Sequence, residues 1–262
     1  MGQSFDGKIF RSDDKKFAET IVLVHFYEGD MLKLARHREW LNFLGFDVYG
    51  FNMRGGVIRT PDISRLHMPG LPISQDHKFG YKHLYADQVE SALNQVPGQK
   101  IIYAFSNISG AAIEAINRRN CADVKALICD SGPSLKLIDS VANLVKKDWN
   151  PLWGVVLNLA APLLSLAWSS DFHRDIRTNL SRFPQGFPVL SIEGGQDAVI
   201  PPDHIELVFK GLKNLRWSQL VLPEAGHLDG LKRFPNEYKR GVEKFLLKHA
   251  SPIEKSQNTD LE

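Results

Sequence analysis

The chain has 262 residues, 43% hydrophobic and 24% charged, the makeup of a globular protein with room for one large core or two small ones. Its 32 basic residues against 30 acidic ones leave +2, so no strong field calls for nucleic acid or an anionic membrane. Two cysteines, Cys121 and Cys129, are too few for a disulfide scaffold, form no C-x-x-C pair, and read as buried thiols.

The first ten residues, MGQSFDGKIF, lack the apolar stretch of a secretory signal and place Asp6 where a myristoylation signal has Ser or Thr. A cytoplasmic protein is the expectation. Apolar, β-branched runs then alternate with amphipathic ones. Strands are predicted at Thr20–His25, Phe46–Phe51, Ile101–Phe105, Val124–Cys129, Val189–Glu193 and Ser218–Leu222. Helices are predicted at Met31–Leu44, His83–Val96, Gly110–Arg119, Asp203–Lys210 and Pro235–His249. In the last, Tyr238, Val242, Phe245 and Leu246 recur at the spacing of one buried helical face. Several strands are apolar throughout, as strands covered on both faces must be. The pattern predicts an α/β protein with a mostly parallel twisted sheet and helices on both faces.

Two stretches break the alternation. Residues 55–82 hold Pro61, Pro69 and Pro72 with little periodicity and read as a long loop, which in compact domains is usually functional. Residues 134–182 separate two strands by far more than a crossover helix requires. No charged residue occurs between Pro151 and Ser170, but Asn158, Pro162 and Ser165 weaken a membrane span. The preferred reading is an apolar helical lid over a pocket, with interfacial contact through that lid as the second. The expected division is a core of 8–133 and 183–249, a lid of 134–182, and a disordered polar tail of 250–262.

Three segments carry chemistry. Strand IIYAF runs into Ser106, Asn107, Ile108, Ser109 and Gly110 and then a helix, the strand-to-helix turn that presents a nucleophile above a parallel sheet. Strand VLSIE leads to GGQDAVIP, which places Asp197 beyond a strand end, and LVLPEAGHLDG places His227 after the last strand. A hydroxyl is a poor nucleophile at neutral pH, so it needs an imidazole base and a carboxylate to orient that base. The remaining histidines show no metal-ligand spacing, and Asn52–Gly56 lacks a P-loop lysine, so no metal and no cofactor are expected.

Several segments together resemble the α/β-hydrolase superfamily: LVHFYEG at Leu23–Gly29, GFDVYGFNMRG at Gly45–Gly55, KALICDSGP at Lys125–Pro133, GGQDAVIPP at Gly194–Pro202 and LPEAGHLDG at Leu222–Gly230. The chain order nucleophile, Asp, His is that of this superfamily. The resemblance implies a sheet of about seven to eight strands with a cap inserted after the family's sixth. Few residues precede the LVH strand, so the family's first strand is not expected here. It also implies an oxyanion hole built from the backbone N–H of Phe26 or Tyr27 and that of the residue after the nucleophile.

The elbow departs from the family pattern, and Phe26 replaces the usual glycine. Small residues are wanted two positions either side of the nucleophile. Ser106 has Ala104 before it but Ile108 after it; Asn107 has Phe105 before it; Ser109 lengthens the strand by three. Ser106 is the preferred register, with Asn107 and Ser109 open. With Ser106, the reading is a serine hydrolase acting on a small-molecule carboxylic ester or thioester, with Asp197 and His227 completing the triad and the Asn107 N–H in the oxyanion hole. Trp153, Leu157, Leu164 and Trp168 would roof an apolar acyl pocket. With Asn107 in the nucleophile position, the reading is a non-catalytic relative that binds a lipid-like ligand.

Overall fold

The computed structural model describes residues 7–54, 74–148 and 159–253. The N-terminal half runs β1 (Gly7–Phe10), β2 (Thr20–Val24), α1 (Ala35–Leu44), β3 (Asp47–Phe51), α2 (Tyr81–Gln95), β4 (Lys100–Phe105), a 3₁₀ turn (Ser106–Ile108) and α3 (Ser109–Arg118). It continues with β5 (Val124–Asp130), α4 (Leu137–Asp148), α5 (Ala161–Trp168), α6 (Asp175–Ser181), β6 (Phe187–Gly194), α7 (Pro202–Phe209), β7 (Leu215–Leu222), α8 (Gly230–Arg233) and α9 (Pro235–His249).

The strands form one sheet in the order β1-β3-β2-β4-β5-β6-β7. Only the β1–β3 pairing is antiparallel, and every other pair runs parallel. The predicted mostly parallel α/β sheet is what forms. Side chains alternate across a strand, so each apolar strand supplies two cores. Val22, Val24, Ile102, Ala104, Leu127 and Cys129 enter one cluster with Tyr85 and Val89 of α2 and Ile113 and Ile116 of α3. Ile21, Leu23, Ile101, Tyr103, Phe105 and Ile128 enter the other with Leu41 of α1 and Tyr238, Val242 and Phe245 of α9. Helices therefore cover both faces, which is why these strands are apolar without alternation.

Strand β1 lay outside the predicted set. It has four residues, only partly buried, at the sheet edge, with no alternation to reveal it. The predicted helix Met31–Leu44 begins at Ala35, because residues 31–34 form turns. The predicted strand at Ser218 begins at Leu215 and is half exposed at the other edge. Of the long loop foreseen at 55–82, residues 55–73 lie outside the described ones. So does most of the polar tail.

Within the 134–182 stretch, α4 and α5 pack on each other, while α6 turns Ile176 and Leu180 into the main core against α3. Among the described residues, no helix is long and apolar enough to cross a membrane.

The strand order positions the site. After β2 the chain moves outward to β3, then returns past β2 to lay down β4 on its other side. The connections leaving β2 and β4 thus diverge to opposite faces and open a crevice above their carboxyl ends, where open α/β sheets place ligands. Phe26 and Tyr27 follow β2, and Ser106 follows β4.

Candidate active site

Phe105 ends β4 in extended conformation (φ −120°, ψ 139°), and Ser106 follows at φ 56°. That left-handed conformation is uncommon for a residue with a Cβ and sits between strand and helix, so the chain reverses sharply at this side chain. Ser106 is 9% exposed, and its Oγ lies 3.1 Å from Nε2 of His227. Nδ1–H of His227 donates to Asp197 Oδ2 at 2.7 Å. That bond sets the tautomer: Nδ1 holds the proton, and the free Nε2 lone pair accepts from the serine hydroxyl.

The carboxylate is held just as firmly. Asp197 is buried, and its other oxygen accepts the backbone N–H groups of Val199 and Ile200 at 2.8 Å each. The loops carrying Asp197 and His227 run against each other, with Gly195 N–H donating to Leu222 O and Gln196 N–H to Ala225 O, both at 2.9 Å. The structure therefore brings together three residues drawn from distant parts of the sequence.

The competing registers fall elsewhere. Asn107 Oδ1 accepts the backbone N–H of Ser134 at 2.9 Å, a structural bond to the start of the inserted segment. Ser109 is fully buried in the first turn of α3. Ile108, whose bulk spoke against Ser106, is buried in the main core.

On the other side of the crevice, His25 at the end of β2 shapes the Phe26–Tyr27 loop. Its Nδ1–H donates to the Phe26 carbonyl at 2.8 Å, and its Nε2 accepts the Met53 backbone N–H at 2.9 Å. Burial holds this imidazole below its usual range, in keeping with that neutral bonding pattern. The Tyr27 ring meets Trp168 edge-on at 5.8 Å. Of the other residues expected to roof a pocket, Leu164 lies half-buried on α5, while Trp153 and Leu157 lie outside the described residues. Trp168 is buried and packs into the main core, touching Tyr85 as well as Tyr27.

Two residues near this constellation were not foreseen. Asp130, at the carboxyl end of β5, is buried, accepts from Tyr238 Oη at 2.5 Å and from Ser131 Oγ at 2.8 Å, and is pushed up to about 6 by desolvation. Ser131 Oγ in turn accepts the N–H of Leu228, the residue after His227, at 3.2 Å. The CDSG run was visible in the sequence, but nothing in one chain shows that its acid is buried beneath the histidine loop. His173, also unforeseen, is treated below.

Among the described residues, His83, Glu114 and Asp175 bring three possible metal-ligand atoms within 4.8 Å. Cations of the chain already serve that cluster: Lys82 is buried against Asp175 and 3.6 Å from Glu114, and Arg118 meets Glu114 at 2.7 Å. With Lys82 and His83 beside it, the Glu114 carboxyl falls to about 2 despite its burial.

No protein-family model and no curated protein sequence matches the chain. Solved structures do. The chain is similar to a monoacylglycerol lipase from Paleococcus ferrophilus, with a TM-score of 0.63 at 17% identity over 94% of this chain and 100% of the other. It is similar to an esterase from Pyrococcus furiosus, with a TM-score of 0.59 at 17% identity over 94% and 91%. An α/β hydrolase from a Mar Chica lagoon sediment metagenome gives 0.61 at 16% over 94% and 97%. Sheet order, crossovers and near-complete coverage agree: the chain has the α/β-hydrolase fold.

Proposed function

We propose that this protein is a serine hydrolase that cleaves a carboxylic ester or thioester with an apolar acyl group. The observation that carries the reading is the continuous hydrogen-bonded line from Ser106 Oγ through His227 to buried Asp197, beginning at a left-handed residue between strand and helix. That arrangement suits acyl transfer because each member supplies what the previous one lacks.

In the reaction, Ser106 Oγ attacks the acyl carbon while its proton moves to His227 Nε2. Asp197 stays ionised and stabilises the imidazolium through Nδ1–H. The carbonyl oxygen becomes an oxyanion, held by backbone N–H groups of Asn107 and of Phe26 or Tyr27. Asn107 lies in the 3₁₀ turn that leads from the serine into α3, where backbone N–H groups lack intrahelical acceptors. Collapse of the tetrahedral intermediate breaks the bond to the alcohol or thiol, which leaves with the proton from His227. Water then attacks the acyl-enzyme with His227 as base and releases the acid; another acceptor in place of water would make the same residues an acyltransferase.

The acyl chain would lie beneath the inserted segment, against Leu164 and Trp168, with Trp153 and Leu157 assigned there from the sequence. Leu163 of α5 is 70% exposed and Leu166 is exposed beside it, which supports contact with a lipid or micelle surface through this segment. Esterase and lipase neighbours share the fold, and small-molecule ester substrates fit that company.

A fluorophosphonate probe with peptide mapping tests the reading. Covalent labelling of Ser106 is the expected result. Folded protein that takes no label would overturn it and favour a ligand-binding protein.

A further inference from the structure

His173 lies in the inserted segment, wholly buried, at φ 67°. Its Nδ1–H donates to the Ser134 carbonyl at 2.8 Å, and its Nε2 accepts the indole N–H of Trp168 at 2.7 Å. A carbonyl only accepts and an indole N–H only donates, so both bonds require one neutral tautomer. Burial and the nearby Lys82 charge hold the ring at about 3, far from protonation. Each bond leads to one side of the catalytic crevice. Ser134 passes its own N–H to Asn107 Oδ1 at 2.9 Å, and Trp168 abuts the Tyr27 ring. The imidazole also sits over the first turn of α3: a Cβ built at Gly110 would lie 3.8 Å from Nε2.

We infer that His173 is a positioning residue that ties the Ser106–Asn107 turn and the Phe26–Tyr27 loop to one buried imidazole and so sets the width of the oxyanion hole. This rests on the serine-hydrolase reading above. A hole made of two separately anchored peptide segments needs a common reference, because a donor displaced by an ångström loses most of its effect on the transition state. The inserted segment supplies that reference through two bonds of fixed polarity. A core histidine with no such role would affect only how much protein folds.

The test uses the full chain, with active sites counted by titration and p-nitrophenyl butyrate as substrate. His173→Asn retains a donor toward Ser134 and His173→Gln an acceptor toward Trp168; Trp168→Phe keeps an aromatic ring but removes the N–H together with the second ring of the indole. Each is expected to lower kcat about tenfold, the two His173 variants with KM within threefold, and His173→Ala about 10²-fold. Affinity for an alkyl trifluoromethyl ketone, which forms a tetrahedral oxyanion with the serine, is expected to fall in parallel with kcat. Unchanged kcat per titrated site in the folded Asn, Gln and Phe variants overturns the inference and leaves the serine mechanism standing. Lower kcat with unchanged ketone affinity overturns it as well. A wild-type protein that neither turns over the ester nor binds the ketone overturns both the inference and the reading beneath it.

Discussion

The backbone of Ser106 lies against Gly132 so closely that a Cβ at Gly132 would stand 2.4 Å from the Ser106 carbonyl oxygen. No side chain fits there, and the atom met is backbone, which cannot swing aside. The turn that presents the serine is therefore braced by the end of the neighbouring strand. Gly132→Ala is expected to cost about 1–3 kcal/mol of stability by overpacking. Because the added methyl pushes on the serine turn itself, kcat/KM of folded protein should fall at least about tenfold. Urea unfolding together with ester kinetics checks both; a stable, fully active variant would show that the turn is not held in this way.

Ser106, His227 and Asp197 act as one unit on the proposed mechanism, so their losses should not add. Ser106→Ala and His227→Ala are each expected to lower kcat about 10³-fold or more, and the double variant should be no worse than either. Neither side chain packs in the hydrophobic clusters, so Ser106→Ala should change stability little, while His227→Ala, which leaves Asp197 Oδ2 without its donor, should cost about 1–3 kcal/mol. Full activity in Ser106→Ala would sink the assignment.

The parts of this site that the sequence makes legible are those written locally. Strand ends carrying Ser106, Asp197 and His227 follow from apolar runs that stop at small polar residues, and the sheet follows from their alternation with helices. Ile108 at first counts against Ser106 because the sequence shows its size and not its direction. It points into the core, and the close approach at the turn comes instead from Gly132, in another segment. Asp130 and His173 stayed hidden for the same reason. Their partners, Tyr238 for one and Ser134 and Trp168 for the other, are set by tertiary packing, and a lone acid or histidine in an apolar neighbourhood carries no signature of that.

Asn107 offers a direct check on the register. Its amide oxygen satisfies the Ser134 N–H, so it faces the inserted segment and not His227. Asn107→Ala should leave that buried donor without its partner and cost about 1 kcal/mol or more. Asn107→Ser should produce no second nucleophile, and no gain in esterase activity is expected. A gain would mean that position 107 is the one facing the histidine.

An apolar roof favours longer acyl chains, since each buried methylene contributes about 0.8 kcal/mol. Across p-nitrophenyl esters from acetate to octanoate, kcat/KM should rise. A flat or falling series would remove the apolar acyl pocket from the proposal.

Asp130 should make stability depend on pH in the direction opposite to an ion-paired carboxylate. Desolvation raises it to about 6 in the folded chain against an ordinary value of 3.8. Over that interval the folded state holds a proton that the unfolded state has released. The group's contribution is therefore fully present below about pH 4 and is lost as pH rises through about 6. A shift of this size corresponds to roughly 2–3 kcal/mol. Asp130→Asn stays neutral at every pH and keeps an oxygen for the Tyr238 hydroxyl. Relative to the wild type, the variant should thus gain about that much stability between pH 4 and pH 8. Urea midpoints for both proteins at the two pH values measure it. Two curves that stay parallel would mean that Asp130 is ionised in the folded protein across the whole range, with Tyr238 and Ser131 stabilising the charge.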